Sequence, residues 1–214
     1  HKERSEILIS MTHQTETTQV RQKYIQDELE SSAATKKKIL IECADAISGS
    51  VDSIIHALKE GKKILLCGNG GSAADAQHMA AELVIRMDPA IKRRAIPAIA
   101  LTTDSSLLTA GANDIGYDRV FARTVEALGS PGDVLIAITT SGRSESVNNA
   151  IRMARSIGMS TIGLLGGDGG GAKDLVDIAV VVPAYSTQRI QEGHITIGHI
   201  ICSLIEREMY GHNE

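Results

Sequence analysis

Five short apolar runs punctuate the chain, at residues 62–67, 96–103, 133–138, 160–165 and 177–182, each separated from the next by a helical or mixed segment. Within the clearest of them the apolar positions are continuous rather than alternating, as in strands covered on both faces of a sheet. Strand regularly followed by helix indicates an α/β fold with a parallel sheet and right-handed crossovers. Upstream, residues 19–33 and 36–60 are polar stretches with Ile, Leu, Val and Ala at mixed three- and four-residue spacings, which predicts two amphipathic helices. Downstream, residues 186–210 carry Ile190, Ile195, Ile197, Ile200, Ile201, Leu204, Ile205 and Met209, which predicts a long C-terminal helix that is apolar over most of its surface.

Two of the strands run straight into loops with the composition of a site. After Ile64-Leu65-Leu66-Cys67 come Gly68, Asn69, Gly70 and Gly71, where the backbone can turn sharply and approach a ligand closely. Ser72 then stands as the expected N-cap of a helix, with Asp75 at the capping-box position. His78 and Glu82 lie one turn apart and project from one face of that helix. After the strand at 133–138 follows Thr139-Thr140-Ser141-Gly142-Arg143-Ser144-Glu145-Ser146, again opening a helix. Five hydroxyls in eight residues exceed what capping needs. Unpaired amide donors and the positive end of the macrodipole make such a terminus a phosphate site. In a sheet of this kind ligands bind beyond the carboxyl ends of strands, where strand order reverses, and both loops are at such ends. On the C-terminal helix, Gln191 and His199 fall roughly 80° apart at 100° per residue, two turns along one side, with His194 between them.

Composition narrows the partners. The 214 residues can hold one domain with a sizeable core and an appended helical part. Residues 1–18 are expected to be a flexible extension or tag, since Met11 can be the native start, and 19–211 a single domain that includes the N-terminal helices. A formal net charge of -4 supplies no basic field to draw in nucleic acid or anionic membrane, and 2% aromatic content leaves almost no base-stacking platform. Neither a stretch of about 18 apolar residues nor a leader pattern is present, so the expected partner is a small molecule and the expected location cytoplasmic. Cys43, Cys67 and Cys202 form no CxxC pair and suit a reducing compartment as small buried hydrophobes. The GGDGGG stretch at 166–171 is read as a structural loop.

Taken together, CGNGGSAADAQHMAAEL, TTSGRSESV, the dipeptide Asn113-Asp114 and RIQEGHITIGHIICSLIE closely resemble the bacterial phosphoheptose isomerases of the sugar-isomerase (SIS) fold. The likeness runs from about residue 20 to 211. It implies a flavodoxin-like, doubly wound five-stranded parallel sheet flanked by helices. N-terminal helices would help build a homotetramer with active sites at subunit interfaces. The implied reaction interconverts sedoheptulose 7-phosphate and a D-glycero-D-manno-heptose 7-phosphate through an enediol, opening heptose synthesis for surface polysaccharide. By the same resemblance Thr139, Thr140, Ser141 and Ser144 hold phosphate, and Asn69, Gly70, Ser72 and Gln191 meet the substrate. Asp114 and Arg86 match substrate-contacting positions, Asp114 from a neighbouring subunit. Glu82 and His199 match the acid/base pair.

The resemblance also implies one zinc per subunit on His78, Glu82, Gln191 and His199, a donor set that zinc accepts. Glu82 and His199 cannot be free proton carriers while fully engaged as ligands, so the metal is alternatively the group that polarises the carbonyl. Gln188 stands where some members carry Asp, and His194 has no assigned role. Two other classes fit parts of the chain. Gly68-x-Gly70-x-x-Ala73 matches a dinucleotide fingerprint that would use Asp104 for the ribose. A non-catalytic relative of the same fold, a binding module for the replication initiator, would lack the full acid/base set.

Overall fold

The computed structural model describes residues 2–211, with side chains from residue 17 onward. The elements are α1 (Lys2–Glu42), α2 (Ala44–Lys59), β1 (Ile64–Gly68), α3 (Gly71–Val84), β2 (Ala98–Ala100), α4 (Ser105–Asp114), α5 (Tyr117–Leu128), β3 (Val134–Thr139), α6 (Glu145–Ile157), β4 (Ser160–Gly166), β5 (Ile178–Val182) and α7 (Thr187–Tyr210). A 3₁₀ turn, Gly171–Asp174, lies between β4 and β5.

All five strands are parallel, in the order β2-β1-β3-β4-β5, so the expected doubly wound α/β sheet is the one formed. Side chains alternate across it. Ile64, Leu66, Ile136, Ile138, Ile162 and Leu164 face α1, α2, α3 and α7, while Leu65, Cys67, Leu135, Ala137 and Leu165 face α5 and α6. Strand order reverses between β1 and β3, and their register sets Gly68 opposite Ile138. The two loops that leave these strands therefore start side by side.

Two element boundaries differ from expectation. The helices expected at 19–33 and 36–60 meet instead at Cys43. Nothing in Ser32-Ala33-Ala34-Thr35 breaks a helix, and Thr35 Oγ1 bonds back to Ser31 O at 3.0 Å within the same turn. At Cys43 the ladder continues, with Cys43 N to Ile39 O and Ile47 N to Cys43 O both at 2.9 Å. Cys43 leaves ideal helix geometry, with φ -116° and ψ -9°, and its buried thiol donates to Val181 O on β5 at 3.2 Å. The strand expected over 96–103 is only three residues long. It is the edge strand, Pro97 has no N–H to give, and the segment turns at Thr102-Thr103 into α4, which Asp104 caps through Leu107 N at 2.9 Å. The extension expected over 1–18 falls mostly on residues 1–16, whose side chains lie outside the described residues.

Candidate active site

The hydroxyl-rich loop and the glycine turn meet at the switch point. Asn69, Ser72, Thr139, Thr140, Ser141 and Ser144 line a cavity of about 200 Å³ at the carboxyl ends of β1 and β3. Asn69 Nδ2 bridges the two loops, donating to Ser144 Oγ at 2.8 Å and to Ser146 Oγ at 2.9 Å. Helices α3 and α6 both begin here, at Gly71 and Glu145, so two sets of unpaired amides and two positive dipole ends serve one cavity. Ser72 is not the N-cap of α3: Gly70 takes that place with φ +56°, and Ser72 is buried inside the first turn. The 166–171 stretch braces the phosphate-type loop. Ala172 N donates to Gly142 O at 3.0 Å, and Arg143 pairs with Asp168 at 2.5 Å, holding that carboxyl below the usual carboxylate range.

A second group sits where α3 packs on α7. Gly198 makes the close approach possible, since a Cβ there would fall 2.9 Å from Met79 Sδ. The residues next to these two, His78 and His199, consequently bring their Nε2 atoms to 2.9 Å, and Glu82 Oε1 lies 3.4 Å from His78 Nε2. One ligand atom from each of the three residues falls within 4.8 Å of the others. Two imidazole nitrogens at this distance need a proton or a cation between their lone pairs. The donor set, two imidazoles and a carboxylate, is one that zinc accepts. Gln191 comes from the same side of α7, but its carboxamide lies against the glycine turn, where a Cβ on Gly71 would be 2.2 Å from Gln191 Nε2. It thus stands by the turn that opens α3.

Other expected residues lie apart. Arg86 and Asp114 are exposed, Arg86 beyond the end of α3 and Asp114 at the end of α4, where it accepts from Asn113 at 2.7 Å. Asp104 is engaged as the α4 cap, which removes it as a ribose ligand. Gln188 accepts from Ser186 Oγ at 2.7 Å.

Four participants have roles that the sequence did not assign. Tyr117 donates to Asn69 Oδ1 at 2.5 Å, Ser146 bonds Asn69, and Asp75 lies half-buried near both histidines with Oδ2 unpartnered among the described residues. Burial raises the Asp75 carboxyl, and the charges of His78 and His199 oppose that rise. The fourth is a pair, Arg93 and Glu206, each 1% exposed and bonded at 2.6 Å. A carboxylate one turn before His78 was the signal available for Asp75. The others depend on long-range packing.

His194, left without a role above, is a core residue: it is fully buried, its Nε2 meets Leu165 O at 2.9 Å, and burial pushes its pKa down to about 4, the Leu165 bond opposing. The unfolded imidazole titrates near 6.5, so protons bind the unfolded chain preferentially between those values. Stability is therefore full above about pH 6.5 and falls as the pH drops toward 4, by about 3 kcal/mol from this group. Urea midpoints of the wild type and His194→Gln at pH 7 and pH 5 check it; the wild type is expected to lose more on acidification.

The SIS domain family model matches residues 29–166. Over 188 residues the chain is 50% identical to a phosphoheptose isomerase of Roseiflexus sp. (strain RS-1), covering 88% of this chain and 94% of that one. Over 179 residues it is 54% identical to the phosphoheptose isomerase of Chlorobaculum tepidum, covering 83% and 86%. The chain belongs to the phosphoheptose isomerases of the SIS-domain family. The solved structure of a phosphoheptose isomerase from Neisseria gonorrhoeae superposes with a TM-score of 0.81 at 40% identity, over 86% of this chain and 97% of that one. In this chain the hydroxyl-lined cavity lies at the start of α3, while His78 and Glu82 lie further along the same helix and meet His199 from α7.

Proposed function

We propose that this chain interconverts sedoheptulose 7-phosphate and D-glycero-D-manno-heptose 7-phosphate. One observation carries the reading: a hydroxyl-lined cavity at two helix N-termini shares α3 with a carboxylate–imidazole group, in a chain half identical to named phosphoheptose isomerases. Thr139, Thr140, Ser141 and Ser144 hold the phosphate with the first amides of α6. Asn69, Gly70, Ser72 and Gln191 position the sugar chain between that anchor and the group on α3 and α7.

The reaction moves one proton between C1 and C2. Glu82 takes it from the carbon beside the carbonyl, His199 gives a proton to the carbonyl oxygen as the enediol forms, and the reverse transfers at the other carbon complete the exchange. Oε1 of Glu82 faces His78, which leaves Oε2 for the proton. His78, Glu82 and His199 fit zinc, which would supply there a positive charge that polarises the carbonyl; Gln191, the expected fourth donor, stands against the glycine turn and would have to swing from it to join them. Whether His199 acts as donor or as ligand is what the chelator arm of the assay below separates.

Assembly and setting are part of the same proposal. Residues 19–211 form one domain, and α1 displays Val20, Tyr24, Ile25, Leu29, Leu40 and Ile41 to solvent. Such a stripe suits burial against other copies in a homotetramer. The exposed positions of Arg86 and Asp114 suit service to a neighbour's site. The proposed place is the cytoplasm, at the start of heptose synthesis for surface polysaccharide; no helix among the described residues is long and apolar enough to cross a membrane. The complete His78, Glu82 and His199 set favours the enzyme over a non-catalytic module.

The test is an isomerase assay on sedoheptulose 7-phosphate against fructose 6-phosphate, with added zinc and with chelator. Preference for the seven-carbon sugar is expected, with activity lost on chelation and restored by zinc. Preference for the six-carbon sugar would replace the substrate. Full activity with no zinc by elemental analysis would remove the metal and leave His199 as proton donor.

A further inference from the structure

Asn69 enters the site with its carboxamide held at three points. Nδ2 donates to Ser144 Oγ and Ser146 Oγ at 2.8 and 2.9 Å, and Oδ1 accepts from the Tyr117 hydroxyl at 2.5 Å. The amide nitrogen carries two hydrogens and its oxygen none. In this orientation both serine oxygens accept from Asn69, so both keep their hydroxyl protons to give. With Ser146 giving its proton to Ser144 across the 3.2 Å between their oxygens, Ser144 is left a proton to offer to the cavity it lines. Turned by 180°, the amide would offer its oxygen to the serines, take up their protons and leave lone pairs facing an anion.

We propose that Tyr117 is a positioning residue for the phosphate anchor: acting through Asn69, its hydroxyl sets the hydrogen-bond polarity of Ser144 and Ser146 toward the bound anion. A phenol is a better donor and a poorer acceptor than an aliphatic hydroxyl, because its oxygen lone pair is delocalised into the ring. The favourable match is therefore phenol to amide oxygen and amide N–H to serine oxygen. Burial raises the Tyr117 hydroxyl above its ordinary range, with the Cys67 thiol adding to the rise, so it keeps its proton at neutral pH. The ring is held edge-on against Phe121, centroids 6.1 Å apart, and Phe121 is buried in the core beneath α5. Gly116 caps that helix immediately before it. The core on one face of the sheet thereby fixes a donor whose effect is felt in the cavity, two bonds away.

The inference rests on the phosphate reading of the cavity, and the experiment separates the two. Inorganic phosphate is titrated calorimetrically into the wild type, Tyr117→Phe, Asn69→Ala and the double variant, and KM and kcat are measured with the sugar phosphate. Tyr117→Phe keeps the ring and its packing. The expected result is a three- to tenfold weaker phosphate affinity and a KM raised by about the same factor, roughly the net worth of one hydrogen bond, with kcat little changed. In the Asn69→Ala background the tyrosine change should add nothing, because the coupling runs through the amide. A merely structural role would lower the melting temperature and kcat without this split. Unchanged phosphate affinity in Tyr117→Phe overturns the inference, as does the same loss in both backgrounds, which would make the phenol a direct ligand contact. A wild type that binds no phosphate overturns the anchor itself.

Discussion

Glu82→Gln is expected to lower kcat by about 10²- to 10⁴-fold while KM for the sugar phosphate stays within a few fold. The carboxamide has the same shape as the carboxylate and can keep the 3.4 Å approach to His78, but it cannot take a proton from carbon. Binding should survive because the proposed phosphate site lies elsewhere, at the loop between β3 and α6 and the first turn of α3. Steady-state kinetics with parallel zinc analysis decide the matter. Loss of both metal and turnover would assign Glu82 to ligation first; retained turnover would remove it from proton transfer altogether.

The largest effect on stability is expected at Arg93. Its Nε meets Glu206 Oε1 at 2.6 Å, Nη1 donates to Leu83 O at 2.8 Å and to Arg94 O at 3.0 Å, and Nη2 donates to Glu82 O at 2.8 Å. Glu206 also accepts from Met87 N at 3.1 Å and Asp88 N at 2.6 Å. The guanidinium thus closes the carboxyl end of α3 and ties it to α7 two turns beyond His199. Arg93→Met leaves a carboxylate buried without its counter-ion, and breaking such a pair from one side costs about 3–5 kcal/mol. For a chain of this length that is a melting temperature lower by on the order of 10 °C. Arg93→Met combined with Glu206→Leu removes both charges and should recover much of the loss. Thermal melts check the series. A single variant as stable as the wild type would show that the pair carries no net weight.

The strands and the two site loops were legible because their signals are local. A continuous apolar run followed by glycine or hydroxyl residues marks a covered strand and its exit, and α7 announced itself by its apolar positions. His78 and Glu82 were legible for the same reason, one turn of one helix. That His199 would meet them was carried by resemblance alone, since the contact depends on Gly198 admitting Met79, a packing event 119 residues apart in the chain that no periodicity encodes. Tyr117 and the Arg93–Glu206 pair were invisible for that reason too. The break between α1 and α2 was misplaced because Cys43 looks like any apolar helix position until β5 supplies the carbonyl that its thiol bonds. Ser72 was misplaced as a cap because glycine with positive φ can do the same work without a side chain.

The bond from Asn69 to Ser144 spans 75 positions, and it joins strands that are neighbours in space only because β2 has been laid on the other side of β1. No fragment of the chain shorter than the β1-to-β3 stretch can assemble that clasp. A sugar phosphate held there consequently recognises the completed tertiary structure and not a local motif, so saturation with ligand should protect amides throughout the central sheet from hydrogen exchange, in step with the logarithm of ligand concentration.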